Sequence, residues 1–179
     1  MATWTLLIYT IPSEPSRLRA AVWREVKKAG AVYLRDGVCA LPEGPETTAA
    51  LRAIAERVRA SNGQVTLVEG ARLDEERAAA VVAEANATRA EEYREIAREA
   101  ERFLAHTARE REHRLLMEAE LAVLEADLGK LRRWFEQVGA RDHFGATGAE
   151  GAATLLARCD EALADALDDV FRRAPEGRP

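Results

Sequence analysis

The sequence predicts an α+β protein: a ferredoxin-like β-α-β-β-α-β unit followed by an antiparallel, coiled-coil-like helical hairpin or three-helix region. Three observations carry this reading. Strand-like and helix-like segments alternate up to about residue 69. After Asp74 the strands vanish and apolar residues recur at spacings of three and four. Asp36-Gly37 stands between two short apolar runs, where a tight hairpin needs positive φ angles. The expected division is residues 1–70, the ferredoxin-like domain, and 71–179, the all-helical hairpin or bundle.

Trp4 to Ile11 is strongly apolar and rich in β-formers, so it reads as a buried strand. Ser13-Glu14-Pro15-Ser16 opens a helix, with a capping serine and a proline where the first turn tolerates one. Leu18, Val22, Val26 and Ala29 then share one face, and Gly30 is the stop. Ala31 to Leu34 and Val38 to Leu41 are the two arms of the hairpin. Thr47 and Thr48 open a second helix with Leu51, Ile54 and Val58 inward, ended by Asn62-Gly63, and Gln64 to Glu69 is the last strand. In this arrangement both helices cover one sheet face, and the other is expected to be free for a subunit, a domain or a ligand.

The helical part shows three seams. Tyr93, Ile96, Ala100, Phe103 and Thr107 mark the first, and Met117, Leu121, Leu124, Leu128, Leu131, Phe135 and Val138 the second. The third is Leu156, Cys159, Leu163, Ala166 and Val170. Stripes of this kind bury against one another, and short connections make neighbours antiparallel. Gly139 to Gly151 is the expected corner before the last helix. Gly129 costs about 1 kcal/mol relative to alanine inside a helix, which suggests a close backbone approach.

Near that corner, "RRWFEQVGARDHFGA" (132–146) gathers three aromatic residues, three arginines and one of three histidines. Phe135 falls in the seam, Trp134 beside it, and Phe144 is expected to plug the end of the bundle. Gly139 reads as the helix stop, and Arg132 and Arg133 complement the negative end of its dipole. With Arg141 and His143, the same arginines form a candidate site for a tetrahedral anion, since guanidinium groups match such oxyanions.

Composition narrows the classes. Apolar residues are 47% and charged ones 32%, as expected of a soluble protein with long surface helices. No apolar run approaches the roughly 20 residues that cross a bilayer, and the first apolar run lacks a basic leader, so no membrane partner and a cytoplasmic location are expected. Cys39 and Cys159 form no CxxC pair and read as buried thiols in a reducing compartment. Residues 1–71 carry nine Lys/Arg against seven Asp/Glu, a net of +2, and the remainder 17 against 24, a net of −7. An anionic partner is therefore expected at the first part of the chain.

On the first helix Arg17, Arg24 and Lys28 stand at i, i+7 and i+11, opposite the apolar face, with Lys27 near the edge. Such a stripe neutralises a few phosphates with little sequence readout. No helix-turn-helix, zinc finger or basic zipper is visible, and a homodimer would set two such patches side by side. His106, Glu110 and His113 share a helical face, but a carboxylate-bridged metal centre needs a second Glu-x-x-His, so an exposed polar face is expected and no metal or other cofactor. No nucleophile elbow, P-loop or Gly-rich dinucleotide signature points to an enzyme.

Two segments, "LLIYTIPSEPSRLRAAVWREVKKAGAVYLRDGVCALP" and "LEADLGKLRRWFEQVGARDHFGA", resemble in order and spacing the N-terminal region of the chromate-resistance regulators of the ChrB family. The likeness extends over essentially the whole chain. More weakly, the first unit resembles the ferredoxin-like domains of phenylacetate-type repressors and of small CRISPR integration proteins. A nuclease of the latter kind wants an aspartate where this chain has Tyr9-Thr10-Ile11. The ChrB resemblance implies a bacterial transcriptional regulator tied to chromate resistance, with operator DNA and the chromate oxyanion as partners. Its DNA- or phosphate-binding candidates are Arg17, Arg19, Arg24, Lys27, Lys28 and Arg35, and its oxyanion candidates are Arg132, Arg133, Arg141 and His143. The family's separate C-terminal chromate-associated domain is not matched by these residues, so a separately encoded partner of that type joins the expectations. The alternative is a non-enzymatic interaction module using the helical hairpin and the free sheet face.

Overall fold

The computed structural model describes residues 2–12, 16–113 and 116–173. The chain divides into two compact units, Met1–Thr88 with Ala140–Gly145, and Arg89–Gly139 with Ala146–Pro179.

The sheet unit runs β1 (Trp4–Thr10), α1 (Ser16–Lys28), β2 (Val32–Arg35), β3 (Val38–Pro42), α2 (Pro45–Ala60) and β4 (Gln64–Ala71). Its strands pair antiparallel in the order β2-β3-β1-β4, the ferredoxin-like topology expected from the sequence. β1 is central, with Leu7 opposite Cys39 on one side and Leu67 on the other. Because side chains alternate along a strand, Thr5 and Leu7 point to the helices while Trp4 and Leu6 point away. Leu7 is fully buried with Val22 and Val26 of α1 and Leu51, Ile54 and Val58 of α2. The buried hydroxyls of Thr5 and Thr48 satisfy each other at 2.9 Å.

The turn chemistry explains the hairpin. Gly37 sits at φ +70, which a glycine adopts without a Cβ penalty. Its carbonyl accepts the Tyr9 N–H at 2.7 Å, and a Cβ built there would lie 2.5 Å from the Tyr9 oxygen. The second helix starts at Pro45, two residues before the threonines expected to open it, since proline suits a first helical turn. Thr47 instead donates to the Pro42 carbonyl at 2.6 Å and locks the strand end to the helix. The residues expected to cap α1, Ser13 and Pro15, lie outside the described residues.

The second sheet face is not free. Trp4, Val32 and Ala40 are buried there under Val81, with Ala78, Val82, Ala85 and Phe144 packed against them. The cover comes from the first turns of α3 (Glu75–Glu112), which begins in the sheet unit. Phe144 belongs to the same cover, its ring centroid 5.8 Å from that of Trp4, and does not plug the helical bundle. Sheet residues that are apolar on both faces need two covering layers, and the chain supplies the second from beyond its last strand.

The helical unit holds the rest of α3 with α4 (Glu118–Gly139) and α5 (Ala149–Arg173). The expected seams are its core: Tyr93, Ile96, Ala100 and Phe103 meet Leu121, Leu124, Leu128 and Val138, and Leu156, Cys159, Leu163 and Ala166. Phe135 packs on Tyr93 with centroids 5.7 Å apart. Met117 departs from its seam and is 62% exposed. It stands one residue before α4, where its N–H donates to the Glu120 carboxylate at 3.1 Å as half of a capping box, so the helical period does not yet orient it. A Cβ on Gly129 meets only the tip of Arg133, at 3.3 Å, so the close backbone approach expected there does not occur. Among the described residues no helix is long and apolar enough to cross a membrane.

Candidate nucleic-acid interface

α1 is amphipathic in an unusual way. Its buried stripe is Val22 and Val26, and on the outside Arg17, Arg19, Arg24, Lys27 and Lys28 are all exposed. Thirteen residues of helix span about 20 Å, so the five positive charges lie within about three turns of one another. The one acid on the helix, Glu25, is taken by Arg57 of α2 at 2.9 Å. Among the described residues none of the five cations forms an ion pair, and neither does Arg35, exposed at the end of β2. Arg24 only returns to its own helix, donating from Nε to the Ala20 carbonyl at 3.3 Å.

Cations elsewhere are largely neutralised. In the sheet unit Arg52 pairs with Glu69 at 2.6 Å and Arg59 with Glu56 at 2.6 Å. In the helical unit Arg94 and Arg98 share Glu91, Arg111 bridges Asp165 and Asp169, and Lys130 holds Asp127. Exposed pairs of this sort contribute little to stability, but they cancel the field that an approaching anion would feel.

Beside the α1 cations lies an aromatic groove of about 560 Å³ that the sequence reading missed. Tyr9, Tyr33 and Trp23 line it with Arg19 and Asp36. Trp23 is 53% exposed, and the Lys27 Nζ stands 6.0 Å from its ring centroid. The Tyr9 and Tyr33 hydroxyls share a hydrogen bond of 2.7 Å in which either can be the donor. Burial is the largest cause raising the pKa of both phenols above the ordinary tyrosine value, so both keep their protons at neutral pH. β3 lies between the two strands, and Gly37, whose carbonyl accepts the Tyr9 N–H, also lines the groove. One signal was legible: Trp23 falls outside the Leu18-Val22-Val26 stripe, an aromatic ring on a polar helix face. The tyrosine pair was not legible, because it depends on the strand register.

The remaining candidates fall in two places. Arg132 and Arg133 belong to α4 of the helical unit, where Arg132 is ion-paired with Asp160 of α5. The last turn of α4 holds no basic residue, so neither arginine caps its dipole as expected. Arg141 and His143 belong to the sheet unit, where the His143 Nε2 lies 2.8 Å from the Ala29 carbonyl at the end of α1. Gly30 makes room for that loop: at φ +74, its Cβ would come 2.7 Å from the Arg141 carbonyl oxygen. His106 is exposed, 3.9 Å from Glu110. Among the described residues no three His, Cys, Asp or Glu side chains are placed to hold a metal ion.

A family model described as the N-terminal part of the protein ChrB matches residues 19–177. One curated relative, Protein ChrB of Cupriavidus metallidurans, is 33% identical over 76 residues, 42% of this chain and 24% of the relative. The matched segment thus spans about a quarter of that relative's length. No solved structure matches. With the family match starting at Arg19, inside the exposed cationic helix, and continuing past the end of α5, the chain belongs to the family of the ChrB N-terminal region.

Proposed function

We propose that this chain is a non-enzymatic regulator of chromate resistance that binds operator DNA through the outer face of α1. The observation that carries this reading is that, among the described residues, the five α1 cations form no ion pair while many of the other cations do. Phosphate contacts release counterions, so binding falls steeply with salt and the face positions the duplex more than it reads bases. A homodimer would present two such faces, offsetting the net charge of −5.

The test is duplex binding to the DNA upstream of the chain's own coding sequence, followed by fluorescence anisotropy across a salt series. Replacing Arg17, Arg24 and Lys28 together by Gln should reduce the magnitude of the log–log salt slope by about 3. Absence of a complex at low salt, or an unchanged slope in the triple variant, overturns the reading. Chromate response is tested by titrating chromate against sulfate on the DNA complex, and equal effects of the two anions would remove the sensor role.

A second reading rests on Met117, Val123 and Phe171, which are 62%, 59% and 64% exposed. Large apolar side chains outside the core of the helical unit suit a protein partner, such as a separately encoded C-terminal-type domain.

A further inference from the structure

We propose that the Tyr9–Tyr33–Trp23 groove accepts a single unstacked nucleobase, with its phosphate directed to Arg19 and the α1 cations. The proposal deepens the nucleic-acid reading of α1 and rests on it.

Four features fit a flat heterocycle. Trp23 is half-exposed and lines the groove, and stacking of a base on an aromatic ring contributes about 1–3 kcal/mol. Of the two hydroxyls in the Tyr9–Tyr33 pair, one donates to the other at 2.7 Å, which leaves the second proton for a ligand carbonyl or ring nitrogen. Asp36, on the hairpin turn, lines the same groove and accepts from an exocyclic amino or ring N–H group. Arg19 precedes Trp23 by one helical turn and also lines it, within reach of a phosphodiester attached to a stacked base.

The same features disfavour a small dianion. Arg19 is the one cation among the lining residues, and the Asp36 carboxylate opposes a second negative charge. A phosphodiester carries one charge, and its base uses both the donor and the acceptor. The groove volume of about 560 Å³ accommodates a nucleotide with its water.

The test uses the full chain and three labelled probes: a single-stranded 12-mer, the matching duplex, and that duplex with a central two-base bubble. Trp23→Leu should weaken the single-stranded and bubble probes by about ten-fold or more while changing duplex binding less than two-fold. Tyr33→Phe keeps the packing and should alter the ranking among dA, dC and dT 12-mers. Equal loss on all three probes, or no loss on any, overturns the base-binding proposal and leaves the operator reading standing. Trp23-dependent single-strand binding without any duplex binding keeps this inference and sinks the operator reading. Competition by free nucleoside monophosphate as strong as that of the 12-mer would assign the groove to a free nucleotide, whereas failure to compete assigns it to a base within a strand. Trp23 is exposed, so loss of fold is not expected, and an unchanged circular dichroism spectrum checks it.

Discussion

The two units treat charge in opposite ways. The helical unit, acidic overall, ties many of its arginines to carboxylates on the same helix or on the facing one, as with Arg98 on Glu91 and Arg111 on Asp165. In the sheet unit, none of the α1 cations forms an ion pair among the described residues, even though their spacing opposes the stability of the helix. Its first turn holds no acid, and Arg17 and Arg19 sit there against the positive end of the helix dipole. Arg24 adjoins Lys27 and Lys28 at i+3 and i+4, like-charge spacings that cost about 0.2–0.5 kcal/mol each. Only Lys27 and Lys28, in the last turn, gain from the dipole. The one glutamate among them, Glu25, is turned to Arg57 of α2 instead. Charge in the helical unit is matched within the fold, whereas among the described residues that of α1 is not.

The strongest way to break the comparison is to ask whether the two cores are separate. Leu128 in the helical core and Leu7 in the sheet core are both fully buried. Truncating either to alanine should cost about 3 kcal/mol, from lost transfer energy and the cavity left behind. Hydrogen exchange should localise the damage: Leu128→Ala accelerates amides in 89–139 and 146–173, and Leu7→Ala those in 2–88. Uniform acceleration from either variant would mean one cooperative core, and the charge contrast would then belong to faces and not to units.

Alkaline pH sharpens the same contrast. Burial pushes the Cys39 thiol from 9.0 up to about 12, and raises Tyr9 and Tyr33 above their usual 10.0. In the helical unit the Cys159 thiol is pushed up to about 11, again chiefly by burial. These groups bind their protons more tightly folded than unfolded. Their stabilisation is therefore complete below about pH 9, the unfolded thiol value, and is lost as pH rises toward the folded values. Urea midpoints followed by residue-resolved exchange should fall for both units between pH 8 and 11. Cys39→Ala should flatten part of that loss, and a parent midpoint unchanged to pH 11 would mean that the thiol is not held in a dry core.

The fold was legible wherever one period ruled a segment. The apolar run of β1, the Asp36-Gly37 turn and the three helical seams were readable as elements, because burial follows spacing. The cover on the second sheet face was not legible: Ala78, Val81, Val82 and Ala85 also fit a solvent-facing helical spacing, and nothing local says that they return to Trp4. The same holds for Phe144, whose partner is 140 residues away in sequence. At the candidate interface the cations could be read one by one, since charge is visible in the sequence. Their lack of ion pairs among the described residues could not, because Glu25 looks available until Arg57 of α2 is placed against it.

The smallest effects come from two glycines that look alike in sequence and should respond with opposite signs. Gly37→Ala puts a Cβ at φ +70 and 2.5 Å from the Tyr9 carbonyl oxygen, a backbone atom that cannot swing away. That should destabilise the sheet unit by about 1–3 kcal/mol and disturb the approach of Tyr9 to Tyr33. Gly129→Ala is different. It lies inside α4 with ordinary helical backbone, and its Cβ meets only the guanidinium of Arg133 at 3.3 Å, the movable end of an exposed side chain. Removing glycine's extra backbone freedom from a helix interior should stabilise the helical unit by about 0.5–1 kcal/mol. Thermal melts of the two single variants measure both signs. A destabilised Gly129→Ala would require a neighbour against that helix face beyond Arg133, which is where a second copy or a partner protein would have to sit.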